Sequence, residues 1–359
     1  MPEKREEIKQ YFTPPEKYGN SAGSYPDQLR FYDGKPVGSP TEWPKRREEI
    51  IKRWESIIGK WPKRSSELPG VKVISKKEED KYSISALELA AAKDTVVKAN
   101  LLVPKEEGVY PAVLVVYYNA ETSVLEKVPN IKKINKPLIK NVRSYALDLC
   151  LRGYVTLAIG LDPYALKGVE VDGKILQPLH WLGFIAENCR RYLASLPEVD
   201  ASRIGIIGHS FGGKWAMFSS CFNDKFSCAA WSDPGIVFSE QDEQVNYWEP
   251  WFLGYEKDKT RKPGIPSETN PRTGAYKELV EQKLDLTDVM ALMAPRPFLV
   301  AGGAQDPESR WLALNSILPV YAFLKAPGRV GLTVRYFHEP TEETNAQTYA
   351  FFDNFMKTK

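Results

Sequence analysis

The sequence predicts an α/β protein with a mostly parallel central sheet flanked by helices. Apolar runs typical of strands that are buried on both faces recur along the chain, at 111–118, 154–161, 204–207, 226–231, 298–301 and 332–337. Helical patterns separate these runs, at 139–152, 179–196, 214–222, 308–324 and 345–357. Strands that alternate with helices indicate parallel pairing, because a helical crossover is needed to start each strand at the same edge of the sheet.

The first hundred residues depart from this alternation. Residues 1–40 are rich in Pro, Gly, Tyr and charged residues, and they predict an extended arm on the surface of the domain. Apolar residues at helical spacing predict a helix from Glu42 to Ile58, which Gly59 and Pro62 end. Runs at 71–74, 82–89 and 96–103 predict antiparallel strands that lead into the parallel part of the sheet.

These patterns divide the chain into two parts. Residues 1–62 form the N-terminal arm and helix, and residues 63–359 form one α/β domain. The interval 235–290 is too long for a single crossover and is rich in Trp, Tyr, Pro and charged residues. It predicts a lid-like insertion within the domain.

Charge and composition exclude several classes of function. The 359 residues carry 49 Lys and Arg against 46 Asp and Glu, a balance without the basic excess of nucleic-acid-binding proteins or of a polybasic membrane anchor. A run long enough to span a membrane is absent from the sequence, and the charged N-terminus does not resemble a signal peptide, so we expect a cytoplasmic protein. The four cysteines form no CxxC pair and predict buried free thiols, without a metal site.

One short motif carries the chemistry. An apolar strand pattern runs directly into Gly208-His209-Ser210-Phe211-Gly212, and a helix pattern follows at once. A sharp strand-to-helix turn of this kind exposes the serine hydroxyl above the sheet, and side chains at the two glycine positions would collide across it. Ser210 is therefore the predicted nucleophile.

A serine nucleophile needs a base, usually histidine, and the chain has only three histidines. His209 adjoins the nucleophile and points away from it, and His180 precedes the turn, outside the order serine, acid, histidine that accompanies this motif. His338 follows the last predicted strand, at the edge of the sheet where Ser210 is expected. Elimination therefore makes His338 the predicted base.

Two carboxylates are candidates for orienting that histidine. Asp306 follows the strand at 298–301 and is the expected acid, while Asp233 follows the neighbouring strand at 226–231 and is the alternative. Acyl transfer also needs donors for the developing oxyanion. We expect them from the main-chain N–H of Phe211 and from Asn119 or Ala120, in the loop after the strand at 111–118.

At this point the residues resemble the α/β-hydrolase fold and, within it, the carbohydrate esterases. The segment Asp285–Pro297 is similar to one in acetyl xylan esterases and glucuronoyl esterases, and the pair Gly213-Lys214 matches the end of the glucuronoyl esterase serine motif. The segments Asn246–Phe252 and Tyr25–Glu49 also look like that family. The chain departs from it at Phe211, where the glucuronoyl esterases have an arginine that helps to hold the oxyanion.

The resemblance implies further candidates for substrate binding. Lys214 is either a polar group near a sugar or a solvated lysine of the first helical turn. Trp248 and Trp251 are either a stacking platform for a sugar ring or the small core of the insertion, and Glu249 is placed to bind a hydroxyl.

The expected function is a serine carboxylic ester hydrolase that removes acyl groups, acetyl above all, from a carbohydrate, with no metal or cofactor. The alternatives are a dienelactone-hydrolase-like or general carboxylesterase acting on small esters, a glucuronoyl esterase, and a non-catalytic binding relative. The expected partner is a carbohydrate or small-molecule ester, with neither nucleic acid nor membrane.

Overall fold

The computed structural model describes residues 8–19, 21–129, 138–259 and 261–357. Within these ranges the strands are β1 (Val71–Glu78), β2 (Tyr82–Ala92), β3 (Thr95–Pro104), β4 (Tyr110–Tyr117), β5 (Lys127–Pro129), β6 (Leu138–Lys140), β7 (Val155–Gly160), β8 (Val169–Val171), β9 (Lys174–Leu176), β10 (Val199–His209), β11 (Cys228–Ser232), β12 (Phe298–Ala301) and β13 (Val330–Thr333). The helices are α1 (Trp43–Ile58), α2 (Tyr145–Cys150), α3 (Pro178–Leu193), α4 (Phe211–Phe222), α5 (Gly274–Glu281), α6 (Leu286–Ala291), α7 (Trp311–Asn315), α8 (Leu318–Phe323) and α9 (Glu342–Met356).

Nine of these strands form one sheet in the order β1-β2-β3-β7-β4-β10-β11-β12-β13. The first three pairs are antiparallel, and all pairs from β7 and β4 onward are parallel. The predicted fold class is therefore confirmed, including the antiparallel lead-in. Strand β1 lies at the edge and is mostly exposed, and its lysines solubilise an edge that would otherwise invite pairing with another chain.

Each face of the sheet is covered by its own hydrophobic core. Neighbouring residues of β10 show this division: Ile206 packs into the core that holds α1, α3 and α4, and Ile207 into the one that holds α2 and α9. Successive strand side chains point to opposite faces, so a strand covered on both sides is apolar at every position. This arrangement explains the continuous apolar runs in the sequence.

Three predicted elements differ in the structure. The stretch 139–152 contains β6 and the short helix α2 rather than one helix. The stretch 308–324 is divided into a 3-10 turn, α7 and α8, and Pro319 in the first turn of α8 explains the division, since proline belongs at a helix start. The last strand ends at Thr333 and not at Phe337, because Arg335 leaves the sheet and turns back over β12.

The described part of the N-terminal arm packs against the rest of the chain, with Tyr18, Tyr25 and Leu29 against the core. Asn315 holds it by donating to the carbonyl oxygens of Gly19 and Ser21, over 3.0 and 2.8 Å. Further along the arm the Gln28 side chain is fully buried and donates to Thr287 of α6 over 3.4 Å. The rest of the predicted arm, residues 1–7 and residue 20, lies outside the described residues.

The insertion between β11 and β12 shares the core of the sheet. Tyr247, Trp248, Leu253 and Tyr276 are fully buried there, in the same cluster as Trp215 of α4. The insertion is therefore a packed wall beside the carboxyl edge of the sheet, rather than a separate flap.

Cys150, Cys189, Cys221 and Cys228 are all buried free thiols, in agreement with the sequence. No helix in the described part of the chain is long and apolar enough to cross a membrane.

Candidate active site

The turn between β10 and α4 holds Ser210 in an unusual backbone conformation. Its φ of 59° and ψ of −117° lie outside the regions that side-chain-bearing residues normally adopt. A Cβ on Gly208 would lie 2.1 Å from the carbonyl oxygen of Gly212, and a Cβ on Gly212 would lie 2.1 Å from that of Val116. Both glycines are thus required for the close passage of β4, β10 and α4 that raises Ser210 above the sheet.

Ser210 is the first member of a chain of three hydrogen-bonded side chains. The His338 Nε2 atom lies 2.8 Å from Ser210 Oγ, and the His338 Nδ1 atom lies 2.6 Å from Asp233 Oδ2. Asp233 is fully buried, whereas His338 keeps about a third of its side chain exposed. A buried carboxylate on Nδ1 fixes the proton there, so that Nε2 is free to accept the serine proton.

The expectation that Asp306 orients the histidine is wrong, because its carboxylate faces away from His338. Asp306 accepts the main-chain N–H groups of Gly235 and Ile236, each over 2.7 Å, and the Arg310 guanidinium over 3.3 Å. It is fully buried, and burial together with the nearby Asp233 carboxylate raises its pKa. Asp306 therefore shapes the loop that follows Asp233.

Asp233 in turn is held by the loop that contains Asp306. Its Oδ1 atom accepts the main-chain N–H groups of Gln305 and Asp306, over 3.1 and 2.8 Å. A Cβ on Gly303 would lie 2.7 Å from Asp233 Oδ2, so only glycine leaves room for the carboxylate beside His338. The two aspartates thus fasten two neighbouring strand-end loops to each other.

Arg335 positions the histidine loop, a role that was not predicted from the sequence. Its guanidinium donates to the His338 carbonyl oxygen over 2.6 Å, and to the carbonyl oxygens of Ala301 and Gly302 over 2.7 and 3.1 Å. It also lies 3.3 Å from Ser232 Oγ. The available signal was a single arginine that interrupts the apolar run 332–337.

The other two histidines lie away from the nucleophile, as predicted. His209 Nδ1 is 3.0 Å from Ser232 Oγ, and its ring packs against that of His338 with centroids 4.7 Å apart. Burial, and after it the neighbouring His338 and Arg335, hold the pKa of His209 well below its ordinary value. His180 is fully buried in α3, where burial lowers its pKa to about 3.

The predicted oxyanion donors belong to two segments, the first turn of α4 and the loop after β4. Phe211 begins α4, so its main-chain N–H belongs to the first turn, which has no intrahelical acceptor. Asn119 uses its side-chain oxygen locally, on the N–H and hydroxyl of Thr122, both over 2.8 Å. Ala120 is buried, and its N–H would lie 2.6 Å from a Cβ on Gly160, so the loop is pressed against the end of β7.

Tyr118, in the same loop, is a second residue of the site whose place the sequence did not predict. Its ring packs against the Phe211 ring with centroids 5.0 Å apart. Burial raises the pKa of Tyr118 to about 12, and a hydrogen bond with Ser210 partly offsets that rise. The phenol therefore stays protonated near neutral pH, next to the serine hydroxyl.

Lys214 lies in the interior, neither solvated nor open to a substrate. Its ammonium donates to the Pro234 carbonyl oxygen and, over 3.3 Å, to the Gln305 side chain. It stands over the ring of Tyr247, 4.9 Å from the centroid. Burial lowers its pKa to about 8, against which the Asp306 and Asp233 carboxylates act. Lys214 therefore joins the loop after Asp233 to the loop that contains Asp306. The prediction that it contacts a sugar is wrong, because the side chain is buried.

Two of the other predicted substrate-binding residues are also buried, because the insertion packs its aromatic side chains into the core. Trp248 is fully buried with its ring 6.0 Å from that of Tyr276, and Glu249 accepts the main-chain N–H of Gly264 over 3.2 Å. Trp251 is half-buried, and its ring lies 5.1 Å from the exposed ring of Tyr164. Of the three, only Trp251 reaches the surface to a substantial degree.

The site contains side chains suited to proton transfer and covalent catalysis. Groups of His, Cys, Asp and Glu able to hold a metal ion do not occur among the described residues.

Comparison with known proteins gives a family match for the middle of the chain. The family profile described as BAAT / Acyl-CoA thioester hydrolase C terminal matches residues 184–291, the part that contains Ser210 and Asp233. A search among curated protein sequences gives no match.

Solved structures resemble the chain over nearly its whole length. A glucuronoyl esterase from Solibacter usitatus aligns with a TM-score of 0.68 at 18% identity, covering 95% of this chain and 100% of that one. A promiscuous CE15 esterase from a marine bacterial metagenome aligns with 0.66 at 17% identity, covering 93% and 97%. A Bacteroides fragilis protein assigned as an acetyl xylan esterase aligns with 0.57 at 15% identity, covering 89% and 87%.

The chain has the α/β-hydrolase fold. In this chain the serine follows β10 and the paired aspartate follows β11, the adjacent strand, while the histidine follows β13 at the edge of the sheet. The three side chains meet because parallel strands end at one edge of the sheet, where such folds carry their sites.

Proposed function

We propose that the chain is a serine ester hydrolase that works through an acyl-enzyme and removes acyl groups from a carbohydrate. The hydrogen-bonded chain from Asp233 through His338 to Ser210, with links of 2.6 and 2.8 Å, carries this proposal. A serine hydroxyl becomes an effective nucleophile only when a base with the correct tautomer is positioned to remove its proton, and this geometry supplies one.

In the first half of the reaction, Ser210 Oγ attacks the ester carbonyl while His338 Nε2 takes its proton. The Asp233 carboxylate stabilises the imidazolium that forms, since it lies against Nδ1. The N–H of Phe211 and the loop of Asn119 and Ala120 receive the negative charge on the carbonyl oxygen. His338 then returns the proton to the alcohol oxygen as the bond between this oxygen and the acyl carbon breaks.

The second half repeats these steps with water in place of serine. His338 removes a proton from water, and the resulting hydroxide attacks the acyl carbon bound to Ser210 Oγ. The proton returns to Ser210 as the acid leaves, and the enzyme is restored with one water consumed.

A small acyl group such as acetyl suits the surroundings of the serine. Phe211 is buried among the rings of Tyr118, Trp215 and Phe252, with centroids 5.0, 5.9 and 6.1 Å away. This apolar packing stands where the glucuronoyl esterases have an arginine, so a charged or heavily hydroxylated acyl part finds no ionic partner at that position. The fold likeness to a protein assigned as an acetyl xylan esterase supports a sugar as the alcohol part, since an acetylated xylan carries its acyl groups on sugar hydroxyls.

The family match over residues 184–291 favours a second candidate, hydrolysis of an acyl thioester. The same serine and histidine would carry out that reaction, with a thiol as leaving group. The two candidates differ in the leaving group alone, so one set of assays separates them.

The decisive assay uses acetylated xylo-oligosaccharide, p-nitrophenyl acetate and an acetyl thioester with wild type and Ser210→Ala. Hydrolysis of the oligosaccharide and of p-nitrophenyl acetate, both lost in the variant, is the expected result. Preference for the thioester by a factor of a hundred or more would favour the second candidate. Turnover of every substrate by Ser210→Ala would overturn the serine mechanism itself.

A further inference from the structure

An exposed aromatic pair lies directly before the catalytic histidine. Tyr336 is 87% exposed and Phe337 is 70% exposed, and their rings meet edge to face with centroids 4.9 Å apart. Large apolar side chains that are exposed side by side usually mark a binding surface, because exposure of apolar area to water is unfavourable. Neither ring contributes to the cores of the sheet.

This pair borders a cavity of about 820 Å³ that includes His338 itself. Val334 and Pro307 add further apolar surface, and the exposed Gln244 adds an amide to the lining. The cavity is large enough to hold a sugar ring, because ligand pockets of this kind begin at roughly 300 Å³.

The proposed reaction decides which part of the ester enters this cavity. His338 Nε2 gives its proton to the alcohol oxygen, so that oxygen has to lie next to the imidazole when the ester bond breaks. The loop after β4, which carries the proposed donors Asn119 and Ala120, lies on the other side of β10 from β11 and β13 in the order of the sheet. The alcohol part of the substrate is therefore directed toward residues 334–338.

We propose that Tyr336 and Phe337 form the platform on which the sugar of the leaving alcohol stacks. This inference rests on the proposed ester hydrolase function and names the part of the substrate that these residues bind. Aromatic faces suit the C–H faces of a pyranose, and the amide of Gln244 suits its hydroxyls. The sugar thus belongs to the leaving alcohol and not to the acyl part, which makes the enzyme a deacylase of sugar hydroxyls.

The backbone holds this platform at a fixed distance from the reacting atoms. Arg335, between Val334 and Tyr336, is tied to Ala301, Gly302 and the His338 carbonyl. A Cβ on Gly303 would lie 2.6 Å from the Phe337 carbonyl oxygen, so the segment rests directly on the loop after β12. The positions of the aromatic pair and of the imidazole are therefore fixed by the same contacts of Arg335 and Gly303.

A second exposed aromatic side chain provides a matched control. Tyr164 is 73% exposed and follows β7, on the far side of Ser210 from His338. Its ring contacts Trp251. A change at Tyr164 removes a similar exposed ring without touching the segment before the histidine.

The experiment compares kcat/KM for two acetate esters in wild type, Tyr336→Ser, Phe337→Ser and Tyr164→Ser. Acetylated xylo-oligosaccharide has a sugar as its alcohol, and ethyl acetate has only ethanol, which offers no ring to stack. We expect Tyr336→Ser and Phe337→Ser to lose about five- to tenfold on the oligosaccharide and to leave ethyl acetate unchanged. Tyr164→Ser should leave the ratio of the two substrates unchanged.

The other outcomes overturn the assignment. Equal losses on both esters would show that the pair only supports His338, and no loss would show that the sugar does not touch it. A ratio that falls in Tyr164→Ser alone would place the sugar on the opposite side. Ser210-dependent hydrolysis of ethyl acetate without action on the oligosaccharide would reject the sugar while the hydrolase mechanism stands.

A binding measurement keeps the test independent of turnover. Unacetylated xylo-oligosaccharide is titrated calorimetrically into Ser210→Ala and into the double variant with Tyr336→Ser. Binding that weakens about five- to tenfold in the double variant supports the platform even if no ester is turned over. Absent or unchanged binding overturns it.

Discussion

The main-chain N–H of Asp306 donates to the Asp233 carboxylate over 2.8 Å. In return, the Asp306 carboxylate accepts the main-chain N–H groups of Gly235 and Ile236. Each aspartate thus fixes the loop of the other. Both are fully buried, yet only Asp233 reaches the imidazole. The two carboxylates therefore have different roles: Asp233 orients His338, and Asp306 holds the loop that follows Asp233.

Amide substitutions at the two aspartates should affect different properties: the one at Asp233 should lower activity, and the one at Asp306 should lower stability. Asp233→Asn presents an amide to His338 Nδ1 and favours the wrong tautomer, so kcat on p-nitrophenyl acetate should fall by roughly a thousand- to ten-thousandfold. Asp306→Asn should keep kcat within about tenfold. It should lower the free energy of unfolding by about 1–3 kcal/mol, because an amide cannot replace a carboxylate that accepts two N–H groups and a guanidinium.

Steady-state kinetics and urea unfolding of both variants distinguish these roles. If Asp306→Asn lost as much kcat as Asp233→Asn while remaining equally stable, the assignment of the acid would have to be reversed.

Arg335→Lys should slow the reaction without weakening substrate binding. A lysine ammonium cannot span the carbonyl oxygens of His338, Ala301 and Gly302 together, so the imidazole loses its fixed position. We expect kcat to fall by about ten- to a hundredfold, with KM nearly unchanged.

Arg329→Lys is the matched control, since Arg329 is exposed and donates only to the Pro295 carbonyl oxygen among the contacts resolved for it. Both variants are measured with p-nitrophenyl acetate. A rise in KM at constant kcat in Arg335→Lys would assign the arginine to substrate binding instead.

Tyr118→Phe should reduce kcat by roughly ten- to a hundredfold. The phenol stands beside Ser210, and with a pKa raised to about 12 by burial it remains a neutral donor through the working range. Such a donor near the serine stabilises charge as it develops on the carbonyl oxygen, so its loss should affect kcat more than KM.

Tyr117→Phe tests whether the position matters, because the Tyr117 hydroxyl accepts from Arg143 over 3.2 Å, and its ring lies in the same loop region. Equal effects of the two substitutions on kcat would remove Tyr118 from the reaction.

Lys214 should make the free energy of unfolding depend on pH. Burial lowers its pKa in the folded protein to about 8, from an ordinary value of 10.5. Between pH 8 and pH 10.5 the unfolded chain therefore binds more protons than the folded one, and the free energy of unfolding rises with pH. Below pH 8 the cost of burying the charge is fully present and constant.

Lys214→Met removes this dependence, since methionine fills similar space without a charge. The difference in unfolding free energy between wild type and variant, from urea titrations across this range, should shift in favour of wild type as the pH rises. If the difference in unfolding free energy did not change with pH, the pKa of Lys214 would be the same in the folded and unfolded protein, and burial would not lower it.

Much of the site could be predicted because its chemistry demands rare residues in fixed places. The turn around Ser210 has a steric signature, and three histidines allow elimination. The acid could not be chosen, since Asp233 and Asp306 both follow strands that end at one edge of the sheet. Only the three-dimensional arrangement shows which carboxylate faces His338.

The remaining differences come from packing. Aromatic residues of the insertion looked equally suitable for a surface platform and for a small core, and burial in the core of the sheet decides for Trp248. The last apolar run was read as strand to its end, but Arg335 takes the chain off the sheet. This departure exposes Tyr336 and Phe337 beside the histidine.

The insertion that packs into the core has a consequence for how substrate arrives. Tyr247, Trp248 and Leu253 share the core of the sheet, and lifting the insertion away would expose each of these side chains at a cost of about 1.5–3 kcal/mol. The cleft is therefore already shaped before the substrate meets it. Because the insertion and the sheet share one core, heating should unfold both in a single transition.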